Sequence, residues 1–439
     1  RVSRLPCIVR MVRYKIKESN MRYTRCFADR YMMEHIYYDN YFGRANEFKF
    51  WNVGQGLFYT GSLFGGEFNF VYDCGGSSSI IKSRVCEYVN KMCYNKEIDV
   101  LFISHFHTDH INGIKYLKDK GCKIKRIIVP YYGNSKNYIL LRLVEGIKTS
   151  FELPEMIATW HILSSVLNEY NSEQDIVQVS NDNDKNVYCY NHDQGNNFVR
   201  ASIACSKVWN FVIANNQSRD IVDSINRLID YKLRKFKSES LEQYFEFGRG
   251  INHVKNQLKK LLHIDDDCKK NLSKDVYQDL TKIDFCKNED SVILLHYPLS
   301  NDSLFEVEQF NCVLKTNNGC CLDNTPIKCH APATLLTGDC AVLQDSNTQL
   351  EKYSINDEIL TMVMQIPHHG AKKEWCKTVG NLLNNRKYCF ENYVVSYGFG
   401  NTYGHPTYEI IDDLAQHDIE ERLYSATQFT TFEYAILNR

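Results

Sequence analysis

The sequence predicts a mixed α/β fold, strand-rich towards both ends and helical in the middle. Three observations predict it. Short apolar runs bounded by Gly, Asn and Asp recur between residues 48 and 130 and again between 291 and 434, as buried strands do. Segments of helical period return the chain between those runs. From 140 to 285 the apolar residues are spaced for helices, with little strand alternation.

The elements follow in order. Residues 48–53 read as a strand, then Gly54-Gln55-Gly56 turns the chain into a second strand at 57–60. A third strand, 68–72, follows Gly65-Gly66 and ends at Asp73-Cys74-Gly75-Gly76. Residues 77–93 read as a helix, 99–103 as a buried strand, 111–117 as a helix and 125–130 as another strand. Helical spacing then marks 153–169, 221–237 and 241–262, separated by polar loops at 181–184 and 191–197. Strands resume at 291–295, 310–315, 333–336, 359–366 and 393–397; a helix at 408–416 and strands near 423 and at 429–434 close the chain. Residues 1–46 form an N-terminal extension, rich in Tyr, Arg and Met, to which no role is assigned. The expected division is therefore 1–46, a first half at 47–139, a helical insertion at 140–285 and a second half at 286–439.

Composition narrows the function classes. At 439 residues, 44% hydrophobic and 24% charged, the chain is an ordinary globular one of two domains, or of one large domain with an insertion. No apolar run approaches the ~20 residues of a membrane span, so no membrane partner is expected. The first residues lack a sustained apolar stretch, so no secretory signal is expected. The 17 cysteines are scattered without zinc-ribbon spacing, and some, such as Cys74, Cys312 and Cys340, fall in apparent strands. A reducing cytoplasm is the expected location. A net charge of −1 gives no overall pull towards nucleic acid. Residues 232–274 carry eleven Lys/Arg against six Asp/Glu; a phosphate-tracking face is one reading, a solvated helix surface the more ordinary one.

The chemistry concentrates in Ser104-His105-Phe106-His107-Thr108-Asp109-His110. His105 and His107 leave a strand two residues apart, so both can aim at one point, and Asp109 and His110 enter the next helix beside a neighbouring point. Two adjacent nitrogen- and oxygen-rich sites describe a hydrolytic binuclear centre, with ions roughly 3.5–4 Å apart. Four further fragments stand at ends of predicted strands. Asp73 can hydrogen-bond a ligating imidazole. Asp339, in Leu335-Leu336-Thr337-Gly338-Asp339, has two oxygens with which to bridge two ions. Taken alone, each of these two aspartates would more often be a plain turn residue. Ile366-Pro367-His368-His369-Gly370 places two histidines side by side, one for metal and one for substrate. Tyr397-Gly398-Phe399-Gly400-Asn401-Thr402-Tyr403-Gly404-His405-Pro406 combines three glycines with a histidine just before a helix.

In this order the fragments resemble the metallo-β-lactamase superfamily. Val53-Gly54-Gln55-Gly56, Asn288-Glu289-Asp290-Ser291, Pro367-His368-His369-Gly370 and Asn401-Thr402-Tyr403-Gly404-His405-Pro406 look like the hydrolase domain of ComEC-type DNA-internalisation proteins. The resemblance covers about 47–130 and 285–435, outside the insertion. It implies an αββα sandwich with two divalent ions, Zn²⁺ or Mn²⁺, at one edge. His105 and His107 would bind the first ion, Asp109 and His110 the second. Asp339 would bridge the two, His369 would complete the second site, and Asp73 would support an imidazole. His368 and His405 would stand near the substrate, as would Asn401 and Gly404. The superfamily often has a further histidine for the first ion, for which His161, His192 and His296 are the candidates here. Leu57 stands where the subgroup usually has Asp or Ser.

The expected activity is metal-dependent phosphodiester hydrolysis, a nuclease being the foremost form, through hydroxide generated from a water shared by the ions. Asp109, His368 and His405 are the expected catalytic residues, the two histidines as charge stabilisers or as acid to the leaving group. Nucleic acid is the candidate partner. The alternatives are a small-molecule hydrolase acting on a cyclic or choline-linked phosphodiester, a lactam or a thioester, and a non-catalytic interaction protein with a vestigial metal site.

Overall fold

The computed structural model describes residues 46–438, apart from 94, 170–174, 182–185, 192–196, 201–207, 216, 283–290, 300–304, 310–330, 342–358, 376–391 and 417–421. The extension before residue 46, the strand expected at 310–315, His192, Cys312 and Asn288 to Asp290 lie outside the described residues.

Two eight-stranded sheets carry the fold. The first runs, in spatial order, Phe305–Gln309, Phe432–Asn438, Asn46–Phe50, Phe58–Leu63, Phe68–Cys74, Val100–Phe102, Ile127–Pro130, Ile176–Val179. The second runs Asn197–Arg200, Asn186–Asn191, Val208–Ala214, Ile293–Leu299, Ala331–Leu336, Ile359–Gln365, Asn392–Ser396, Leu423–Ala426. Both are antiparallel on one side and parallel on the other: the last four strands named in each sheet are paired in parallel.

Side-chain alternation explains the layering, since successive residues of a strand face opposite sides. Phe68, Phe70 and Tyr72 point into the core shared by the two sheets, together with Val100, Phe102, Leu294, Leu336 and Val363. Their neighbours Val71, Cys74, Leu101 and Ile103 point outwards, under the helices Ser78–Lys91, Asn137–Gly146, Leu153–Glu169 and Arg219–Lys235. On the second sheet Ile293, Leu295, Met364 and Ile366 face outwards against Trp375 and the helix Tyr408–Ala415. Burial on both faces is why these strands read as unbroken apolar runs. The architecture is an αββα sandwich.

The segment 140–285 departs from a purely helical reading. Helices occupy Leu153–Glu169, Arg219–Lys235, Leu241–Phe245 and Ile251–Leu262, but the intervening residues supply four strands: Ile176–Val179 to the first sheet, and Asn186–Asn191, Asn197–Arg200 and Val208–Ala214 to the second. Asn186–Asn191 pairs with both Asn197–Arg200 and Val208–Ala214, while Ile176–Val179 and Val208–Ala214 join the sheets through partners at 127–130 and 293–299. The helix expected at 241–262 is broken after Phe245, where Glu246 and Gly250 both take positive φ. Part of the basic run at 232–274 is paired: Lys232 is buried 3.5 Å from Asp265, Lys235 lies 2.5 Å from Asp267, and Arg249 lies 2.7 Å from Glu246.

His296 lies between the sheets, its Nε2 2.9 Å from the Tyr59 hydroxyl, while Trp209 Nε1–H donates to its Nδ1 at 3.3 Å. Burial pushes its pKa down to about 3, so the ring is neutral at pH 7. It is a core residue. His296→Ala would open a cavity and leave the Trp209 N–H without an acceptor, costing about 2–4 kcal/mol in urea unfolding. Bound metal per folded chain stays at the wild-type level; a fall in bound metal at unchanged stability would make His296 a ligand after all.

Candidate metal centre

The carboxyl ends of the parallel strands from both sheets meet at one edge, the usual place for a site in α/β sheets. Asp73 sits at the end of Phe68–Cys74, His105 just beyond Val100–Phe102, Asp339 beyond Ala331–Leu336, and His368 and His369 beyond Ile359–Gln365.

Asp73 is buried, and both its oxygens are engaged. Oδ1 accepts the Ser104 backbone N–H at 2.7 Å; Oδ2 accepts the Ser104 hydroxyl at 2.6 Å and the His110 Nδ1–H at 2.7 Å. These bonds settle the tautomers. His110 donates from Nδ1, which turns its Nε2 towards the cluster; burial would lower its pKa, but Asp339, Asp73 and Asp109 hold it well above the ordinary histidine range. With its own proton given to Asp73, the Ser104 oxygen accepts from His105 Nδ1 at 2.9 Å, leaving His105 Nε2 free. His369 Nδ1–H donates to the Ser396 carbonyl at 2.8 Å, so its Nε2 is free as well.

The free atoms converge in two groups. His105 Nε2 lies 3.0 Å from His107 Nδ1 and 3.4 Å from Asp339 Oδ2. His110 Nε2 lies 3.3 Å from His369 Nε2 and 3.2 Å from Asp339 Oδ1, and His369 Nε2 lies 3.3 Å from Asp109 Oδ2. Within each of the trios His105, His107, Asp339 and Asp109, His110, His369, the donor atoms all fall within 4.8 Å of one another. Asp339 turns one oxygen towards each trio. Its Oδ1 is buried without a hydrogen-bond donor. Imidazole nitrogens and carboxylate oxygens gathered in two adjacent groups, with no thiolate among them, are a donor set that fits divalent metal ions.

Asp339 is aimed by its turn. The Gln365 carboxamide accepts the backbone N–H groups of Thr337 and Gly338 and donates to the Gly338 carbonyl, while Asp339 N–H donates to Ser291 Oγ at 3.1 Å. Ser291 Oγ also lies 3.4 Å from His105 Nδ1. Neither described candidate for a further first-site histidine reaches the first trio: His161 is exposed on its helix and His296 is in the core.

His368 stands beside the cluster, its Nε2 3.6 Å from Asp339 Oδ2 and its Nδ1 3.1 Å from Glu374 Oε2. Burial would lower its pKa, but Asp339 and then Glu374 hold it above the ordinary histidine range. His405 faces it with ring centres 5.5 Å apart; burial, then the neighbouring His368, His369 and Lys148, push His405 down to about 4. The two loops are clasped together: Gly370, at φ +81°, lies where a Cβ would come within 2.7 Å of Pro406 Cβ, and Thr407 N–H donates to the Gly370 carbonyl.

Asn401, expected at the substrate, uses its amide within its own loop, accepting from the Tyr403 and His405 N–H groups and donating to the Gly398 and His405 carbonyls. It shapes the loop that presents His405. Gly404, at φ +75°, has open space where a side chain would stand. Leu57 is buried between the sheets. Sequence reasoning passed over Ser104, Ser291, Gln365 and Glu374. Of these only Ser104, directly before the histidine run, carried a local signal.

Residues 58–148 match the family model of the metallo-beta-lactamase superfamily. The match takes in Asp73 and the whole histidine run; Asp339 and His369 lie beyond it and are brought in by the sandwich, which is of the metallo-β-lactamase type. No curated protein matches the chain. Among the described residues no helix is long and apolar enough to cross a membrane.

Proposed function

We propose that the chain is a binuclear metal-dependent phosphodiesterase. The observation that carries this reading is Asp339, buried and directing one carboxylate oxygen at each of two ligand trios. His105, His107 and Asp339 would hold one divalent ion; Asp109, His110, His369 and Asp339 the other. Bound there, two such ions would supply Lewis acidity and lower the pKa of a water molecule.

The remaining steps belong to the protein. Asp73 and Ser396 hold the His110 and His369 rings with Nε2 inwards, and Ser104 does so for His105. Glu374 accepts the His368 Nδ1–H and turns its Nε2 towards the cleft. Protonated at Nε2, His368 suits general-acid work: the water oxygen bonds to phosphorus as the water gives up a proton to the solvent, the bond from phosphorus to the leaving oxygen breaks, and that oxygen takes the Nε2 proton. His405, neutral near pH 7, can accept a hydrogen bond at the same mouth.

The likeness of the Pro-His-His-Gly and Gly-His-Pro segments to ComEC-type hydrolase domains supports nucleic acid as the polymer. A specific contact favours small diesters as a second reading: Tyr403, beside His405, meets Lys148 and Glu152 of the chain following Asn137–Gly146 and narrows the mouth. Purified protein loaded with Mn²⁺ or Zn²⁺ should cleave bis(p-nitrophenyl) phosphate and lose this activity on chelation. Parallel incubation with plasmid, oligonucleotides and cyclic dinucleotides then separates polymer from small substrate. Metal-loaded protein inert towards all of them would defeat the reading, as would turnover undiminished by chelator.

A further inference from the structure

The residue that follows the helix Asn137–Gly146 by two positions has a use that the ligand trios do not account for. At Gly146 the backbone packs directly on the first trio, since a Cβ there would come within 2.8 Å of His107 Cδ2. Lys148 is held on both sides of its backbone: its N–H donates to Glu152 Oε2 at 2.7 Å, and its carbonyl accepts from Lys255 Nζ at 2.9 Å. Its ammonium lies over the Tyr403 ring, 4.1 Å from the centre. Tyr403 stacks on His405 at 6.3 Å and 12°, His405 faces His368 at 5.5 Å, and His368 Nε2 is 3.6 Å from Asp339. A continuous path of ring and charge contacts therefore joins Lys148 to the bridging carboxylate.

Lys148 differs from the other cations near this edge. Arg142 is paired with Glu145 and Lys372 with Glu409, whereas no described carboxylate lies within ion-pair distance of the Lys148 ammonium. An exposed lysine would ordinarily spread over many rotamers; here the aromatic face fixes its direction and leaves its ammonium outside any ion pair among the described residues. A pinned ammonium outside any ion pair, beside a hydrolytic centre, is a receptor for an oxyanion.

We propose that Lys148 receives a non-bridging phosphate oxygen of the substrate, making the centre selective for anionic phosphodiesters over uncharged esters. This rests on the phosphodiesterase reading above. It also gives the segment that follows the histidine run a direct part in substrate choice.

The test compares two substrates with the same leaving group, the anionic bis(p-nitrophenyl) phosphate and the uncharged diethyl p-nitrophenyl phosphate, on Mn²⁺-loaded wild-type, Lys148→Met and Lys148→Arg proteins. The methionine keeps an unbranched apolar stem on Tyr403 and removes the charge. Its diester-to-triester ratio of kcat/KM should fall about tenfold, mainly through KM for the diester, and arginine should restore it to within about threefold. Calorimetric titration with thymidine 5′-monophosphate should show a matching loss of affinity in the methionine protein. An equal loss on both esters, or none on the diester, overturns the role of Lys148 while the phosphodiesterase reading stands. If wild-type protein cleaves neither ester, that reading fails and this proposal falls with it.

Discussion

Replacing Asp339 by alanine is expected to lower kcat/KM for bis(p-nitrophenyl) phosphate by at least about 10³-fold, equivalent to about 4 kcal/mol of transition-state stabilisation. Among the described residues no other side chain turns an oxygen to each trio, so its loss weakens both ion sites together. Metal analysis of the dialysed variant should find fewer than one ion per chain. The fold itself should survive. What the substitution removes is a buried carboxylate with an oxygen lacking a donor, while the backbone bond from residue 339 to Ser291 remains. Far-UV circular dichroism and the urea midpoint should accordingly stay close to wild type. Full turnover in Asp339→Ala would mean that the two trios do not work as one centre.

Gly75→Ala should reach the same centre from behind. A Cβ at residue 75 would lie 2.1 Å from the Asp109 carbonyl oxygen and 2.4 Å from His110 Cα, both backbone atoms of the second trio. Backbone cannot swing aside as a long side chain can, so the turn bearing Asp109 and His110 must shift as a body. Overpacking of this kind typically costs about 1–3 kcal/mol. It should also carry the ligand atoms away from His369 and Asp339. The expected result is a lower thermal midpoint with one ion bound instead of two, measured by calorimetric melting and by titration with Mn²⁺ or Zn²⁺. A variant with wild-type melting and two ions bound would show that residues 75 and 109 are not in contact. Gly56, whose Cβ would approach the same carbonyl to 2.3 Å, closes the other side of this packing.

Much of the centre was legible because so many of its donors are local. His105, His107, Asp109 and His110 lie within six residues, and a strand-to-helix junction gives them only a few directions in which to point. Asp73, Asp339 and His369 were recognisable as candidates from their places at strand ends, yet nothing local said they would meet. Their meeting follows from parallel pairing, which aligns the carboxyl ends of strands far apart in sequence. The supporting residues were hidden for the same reason. Gln365 closing an apolar strand, Ser291 opening one and Glu374 beyond the histidine pair look unremarkable until a distant partner is present. Asn401 was legible as a candidate, but the bonds its amide makes within its own loop were not. The strands between 176 and 214 escaped because they are short and broken up by the polar loops at 181–184 and 191–197, which hide their alternation.

By itself the sequence determined the class of fold, most of its strands and the candidate donors of the centre. Those properties reside in side-chain alternation and in ligands close along the chain. Only the tertiary structure decided which carboxylate stands between the two trios, that His296 is a core residue, and that Lys148 comes to lie beside the loop of His405. Each of these depends on contacts between segments separated by a hundred residues or more. Such contacts form only when two sheets bury a common core, and no local pattern of residues encodes their distance.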